Sequence, residues 1–111
     1  MNMISTLVDN ATSDSDVLRS LDSNGDRFSI SRDVDFLFRT PNKEKAELVA
    51  GFINDYSYGQ ALVQDELNVL VKINMPVNQP VAHCISGFFA CVAELFSVEY
   101  DGWGCVAQSQ T

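Results

Sequence analysis

Val98-Glu99-Tyr100-Asp101-Gly102-Trp103-Gly104 is the stretch on which the fold turns. It holds the single tryptophan of the chain, set between two glycines and behind two carboxylates and a phenol. Glycine inside a strand loses the most backbone entropy and packs no side chain. Two of them around a tryptophan therefore imply a bend or a close approach of another backbone. Regular alternation of side chains over 98–107 puts Val98, Tyr100, Gly102, Gly104 and Val106 on one face of a strand. Glu99, Asp101, Trp103 and Cys105 fall on the other. The more apolar face then meets the helices, the glycines letting a helix come close, and Trp103 stands beside Asp101 on the open face. Two roles remain for Trp103. It fills a gap beneath an N-terminal helix, as a residue that is highly buried on average, or it is an aromatic anchor ringed by charge, the composition of a binding hot spot.

The elements upstream decide what this strand pairs with. Residues 33–39 alternate, with Val34, Phe36 and Phe38 opposed to Asp33, Asp35, Leu37 and Arg39, which predicts a half-buried strand. Thr40 as N-cap and Pro41 in the first helical position open a helix running to about Asn54, with Ala46, Val49, Phe52 and Ile53 inward. Two strands follow at 56–64 and 67–75, joined by a tight turn at Asp65-Glu66, the second with Leu67, Val69, Val71, Ile73 and Met75 on its apolar face. A helix over 80–96 presents Val81, Ile85, Phe88, Val92 and Leu95 or Phe96 at helical spacing. Before all of these, 13–22 predicts a short helix, and 1–12 carries no firm signal. The order β-α-β-β-α-β, with right-handed crossovers, predicts an α+β, ferredoxin-like sandwich: a four-stranded antiparallel sheet with two helices on one face and a short N-terminal helix. The domain spans 25–111 behind a leader of 1–24. Its first and last strands are neighbours, so Asp35, Leu37 and Arg39 lie near Asp101 and Trp103.

Composition narrows the function. The chain has 111 residues, 15 acidic and 7 basic, for a net charge of −8. That balance argues against general nucleic-acid or anionic-membrane binding, which depends on clustered Lys and Arg, and suits a basic partner surface. No basic-apolar signal peptide is visible at the N-terminus and no apolar run approaches roughly 18 residues, so a reducing cytoplasm is expected. Cys84, Cys91 and Cys105 are odd in number and lack CxxC spacing. Cys84 and Cys91 are expected to pack as small buried hydrophobes. His83, next to Cys84, points about 100° away on a helix, so neither a metal cluster nor a Cys–His nucleophile forms. Asp22-Ser23-Asn24-Gly25-Asp26 looks like the start of a calcium loop, but the sixth position is Arg27 and the twelfth Asp33, which breaks the pattern. Asp35 and Asp101 are the available paired carboxylates for an enzymatic or ligand-binding alternative. No base, lysine or phosphate loop converges on them. An oligomerisation module pairing open sheet faces is a third reading.

The 98–104 motif, following Ala93-Glu94-Leu95-Phe96, is similar to that of the regulator of ribonuclease activity B (RraB) family. Gly25-Asp26 through Ser31-Arg32-Asp33-Val34-Asp35-Phe36 to Thr40-Pro41 also resembles the first strand of the family's shorter members. Together these segments bracket 25–106, 82 of the 111 residues. The resemblance implies a ferredoxin-like sandwich and a bacterial cytoplasmic regulator that binds ribonuclease E and restrains its activity without cutting RNA. No cofactor, no metal, no direct nucleic-acid contact and a monomer or weak homodimer are expected. Longer family members have an extended N-terminal helical region and an acidic tail, whereas this chain ends Gln108-Ser109-Gln110-Thr111. The candidate partner-binding residues are Trp103, Asp101, Tyr100, Glu99, Asp35 and Arg39.

Overall fold

The computed structural model describes residues 3–106. Three helices and four strands follow in the order α1 (Met3–Ser23), β1 (Arg32–Arg39), α2 (Lys43–Asp55), β2 (Gln60–Gln64), β3 (Asn68–Met75), α3 (Gln79–Phe96) and β4 (Glu99–Gly104). The strands form one antiparallel sheet in the order β2-β3-β1-β4, so the first and last strands pair. The last strand, expected over 98–107, ends at Gly104, with Cys105 and Val106 beyond it; Ala107 and the tail lie outside the described residues.

β1 obeys its alternation. Val34, Phe36 and Phe38 are fully buried while Asp33, Asp35 and Arg39 are exposed. Val69, Val71 and Met75 of β3 continue the inner face, and Val49, Ile53 and Phe89 close the core from the helices. Phe89 packs on Phe36 at 4.9 Å and edge-on to Phe38 at 5.6 Å, geometry that adds to simple burial. Leu67, expected on this inner face, lies outside β3 and is exposed.

The cap of α2 differs from expectation. Asn42, not Thr40, caps α2: its side chain accepts the Lys45 N–H at 2.8 Å. Thr40 is buried and ties the end of β1 to the β2–β3 turn, donating from Oγ1 to the Leu67 carbonyl at 2.7 Å. That turn places Asp65 and Glu66 at φ 51° and 64°, the left-handed pair that fits a tight hairpin. Residues 56–59 stay outside β2, whose start is held by the Asn54 side chain bonding both to the N–H and to the carbonyl of Ala61.

α1 is much longer than 13–22 predicts. Its inward stripe runs Leu7, Asn10, Asp14, Leu18 and Leu21, with Asp14, Leu18 and Leu21 buried. The two polar residues at the centre of that stripe hide the amphipathic pattern. Its C-terminus explains the calcium-like sequence: Asp26 N–H bonds to the Leu21 carbonyl and Gly25 N–H to the Asp22 carbonyl, with Gly25 at φ 76°. This is a Schellman cap, which wants glycine at that position.

α3 is rotated from the face its large residues predict. Ala82, Ser86, Phe89, Ala90, Val92 and Ala93 are buried, whereas Phe88 and Leu95 are exposed. The helix is covered on two sides, by the sheet and by α1, and alanine and serine let α1 approach. Cys84 and Cys91 are exposed, not buried as expected. α3 is also long and apolar enough, at 18 residues and a mean hydropathy of 1.2, to cross a membrane by length and composition alone. The threshold for a span is therefore met where the sequence analysis found no such run. The helix is instead the central packing element of the domain.

The decisive irregularity lies in β4. Phe36 pairs with Trp103 and Phe38 with Tyr100, so Asp101 and Gly102 together face Leu37 alone. This is a β-bulge, and Gly102 takes φ 88° within it. The extra residue brings Tyr100 and Trp103, three apart, onto the same inner face and overturns the regular alternation. Neither flanking glycine admits a helix: a Cβ added at Gly102 or Gly104 would meet nothing within 4 Å. The two should therefore respond differently to alanine. Gly102→Ala is expected to destabilise by about 1–2 kcal/mol through left-handed strain, while Gly104→Ala is neutral or slightly stabilising. Denaturant unfolding midpoints check this, and equal responses would remove the bulge as the cause.

Candidate interaction site

Of the six predicted site residues, the structure turns two inward and leaves four outside. Trp103 is 9% exposed, packed against Phe36 beneath α1. It is therefore not the exposed anchor, and the gap-filling role is the one it plays. Its indole Nε1 donates to Asp14 Oδ1 at 2.9 Å. Ser86 Oγ donates to the same oxygen at 2.7 Å. Because that uses the single hydroxyl proton of Ser86, the Tyr100 phenol, 2.9 Å away, donates to Ser86 Oγ. Asn10 Nδ2 adds a second donor to Ser86 Oγ at 3.1 Å. α1, α3 and β4 are thus joined by one buried polar cluster whose members satisfy each other.

Asp14 is 2% exposed, and burial pushes its carboxyl above the usual carboxylate range, with Ser86, Trp103 and the neighbouring His83 pulling it back. Burial likewise raises the Tyr100 phenol, so it remains a donor. Asp14, Asn10 and Ser86 are not among the expected site residues. In the sequence Asp14 reads as an ordinary first-turn acid, and the one signal is a polar pair interrupting the 7-10-14-18-21 spacing.

Asp35, Arg39, Glu99 and Asp101 lie on the outer face of the sheet. Arg39 and Glu99 are register partners, and Arg39 Nη2 contacts Asp101 Oδ2 at 3.0 Å. Arg39 is well exposed, so that pair contributes little, under about 1 kcal/mol. Asp35 and Asp101 line a shallow, solvent-open depression of about 340 Å³ with Leu37, Leu70 and Gly102. That depression is not the enclosed pocket that general acid–base work by the two acids would require. A second groove, about 440 Å³, runs between α1 and the α3–β4 junction; Asp9, Glu94 and Glu99 line it and Ala90, Ala93, Val98 and Tyr100 supply its apolar surface. No group of three metal-ligating side chains forms among the described residues.

A family model described as "Regulator of ribonuclease activity B", RraB, matches residues 11–105. The chain belongs to the RraB family. No curated protein matches it. The matched range takes in all four strands, α2, α3 and the part of α1 that carries Asp14; Asn10 of the buried cluster lies just before that range. RraB is a family of regulators of ribonuclease activity. In this chain Tyr100 and Trp103 are the inward tips of a bulged strand, and Asp-Gly between them is the bulge.

The cluster is testable by substitution and by pH. Asp14→Ala leaves Trp103 Nε1 and Ser86 Oγ without an acceptor and is expected to destabilise by about 3 kcal/mol. Because the folded-state pKa of Asp14 is raised, its stabilising contribution is complete below the unfolded value of about 3.9. It is lost as pH rises through the folded value. Wild-type stability measured against Asp14→Asn should therefore improve as pH falls from neutral toward about 4. A difference that does not change with pH would show that burial leaves Asp14 unshifted.

Proposed function

We propose that this protein is a non-catalytic regulator that binds ribonuclease E in the bacterial cytoplasm and restrains its activity, with the exposed outer face of the sheet as the contact surface. The observation that carries this is the family match over residues 11–105. The strand order β2-β3-β1-β4, with helices after the first and third strands, supports a ferredoxin-like sandwich, an arrangement that leaves one sheet face available. On that face stand Asp33, Asp35, Glu99 and Asp101 against Arg39 and Lys72. Net charge is −8, so a partner with basic segments is drawn toward it.

The same face argues against a direct RNA contact. Single-stranded RNA is held by outward aromatic side chains and by cations that neutralise phosphate. Here the aromatic residues of β1 and β4 all point inward, and acids outnumber bases on the outside. Trp103 and Tyr100 act from behind, fixing the strand that presents Glu99 and Asp101.

Calorimetric titration with ribonuclease E from the same bacterium tests the proposal. Binding at low salt that weakens as salt rises is expected. Asp35→Lys combined with Asp101→Lys should lower affinity roughly tenfold or more with an unchanged circular dichroism spectrum. No binding at low salt, or binding that the double reversal leaves intact, would overturn it.

A further inference from the structure

We propose that the outer stripe of α3 is the seam of a two-fold dimer, in which α3 packs antiparallel against α3 of a second copy of this chain. Cys84, Phe88, Cys91 and Leu95 are all exposed, Leu95 at 71%. Their spacing of four, three and four residues is that of a coiled-coil seam, on a helix whose other sides are occupied by the sheet and α1. Such a stripe on a soluble surface marks a contact.

The stripe is self-complementary, which is what selects a second copy as its occupant. Small and large residues alternate along it. Antiparallel pairing about a two-fold axis midway along the stripe sets Phe88 against Cys91 of the second copy and Leu95 against Cys84, each large side chain over a small one. The charge pattern agrees. The only other ionisable side chains of α3 are His83 and Glu94, and both lie on the flank toward α1, one beside Asp14 and one lining the α1 groove. The seam itself therefore carries no charge in a chain of net charge −8. Phe52, Tyr56 and Tyr58 extend the apolar surface on the other flank through ring contacts, with Tyr58 at 4.8 Å from Phe88. The exposed apolar area is on the order of 500 Å², below the roughly 800 Å² per partner of a standard interface. The dimer is accordingly weak and reversible.

Sedimentation over a wide concentration range tests this. Dimer is expected at high concentration, and added salt should strengthen it by screening the net charge, the opposite of its expected effect on ribonuclease binding. Leu95→Glu, at a position exposed enough to leave the fold intact, should abolish the dimer. Leu62→Glu, on the open sheet face, should not. The register has its own readout. The two-fold axis offsets the paired Cys91 residues by about 4.5 Å along the helices and the paired Cys84 residues by about 16 Å. A Cys84→Ala/Cys105→Ala variant should form a short thiol cross-link through Cys91, while Cys91→Ala/Cys105→Ala should not through Cys84. A monomer at every concentration, a dimer that survives Leu95→Glu or is broken by Leu62→Glu, or cross-linking through Cys84 as readily as through Cys91 would overturn the proposal.

Discussion

The structure depends on one buried carboxylate. Asp14 accepts from Trp103 and Ser86, and through Ser86 reaches Tyr100 and Asn10. Each of these groups would be costly to bury alone, and together they are satisfied. The consequence is specificity as much as stability. A slip of β4 by one residue would send every side chain to the other face, taking the indole donor from Asp14 and the phenol donor from Ser86 and exposing the indole. Hydrophobic burial alone tolerates more than one way of docking a helix on a sheet edge; a donor–acceptor pattern shared by α1, α3 and β4 tolerates far fewer. The bulge at Asp101-Gly102 follows from this demand, since only an extra residue brings Tyr100 and Trp103 to the same side.

How much of this was legible depended on whether a segment had one covered face or two. β1 and β3 each bury one face, and period-two alternation locates their inward residues, apart from Leu67, which lies just before β3. α2 was found for the same reason, although Asn42 took the capping role from Thr40. α3 packs the expected Val81, Ile85, Val92 and Phe96 against the core but leaves Phe88 and Leu95 outside it. Its buried positions include Ala82, Ser86, Ala90 and Ala93, small residues that bring α1 close, and a search for large apolar residues passes over them. α1 was cut short because Asn10 and Asp14 occupy the centre of its inward stripe, and a buried polar residue looks like surface until its partner, nearly ninety positions away, is known.

The candidate site failed and succeeded along the same line. Asp35, Arg39, Glu99 and Asp101 are near each other on the outer face because β1 and β4 pair, which the order of elements implied. Trp103 and Tyr100 were assigned to opposite faces because alternation has no means of anticipating a bulge. The pair of glycines did carry a signal, but only Gly102, with its left-handed backbone, uses the freedom glycine offers. The motif thus divides by residue: Tyr100, Gly102 and Trp103 build the strand, and Glu99 and Asp101 are what the strand displays.

The distribution of charge over the finished molecule then separates two kinds of surface. Acidic residues are placed on the outer sheet face and along the α1 groove. α3 has the reverse character. A helix that must face a sheet on one side and another helix on the next has little room for charge, and its remaining outer side stays apolar too, with cysteines and large residues in turn. That lack of charge is what makes α3 resemble a membrane span in composition. In a folded, strongly acidic domain it leaves a neutral, apolar stripe physically apart from the acidic face of the sheet.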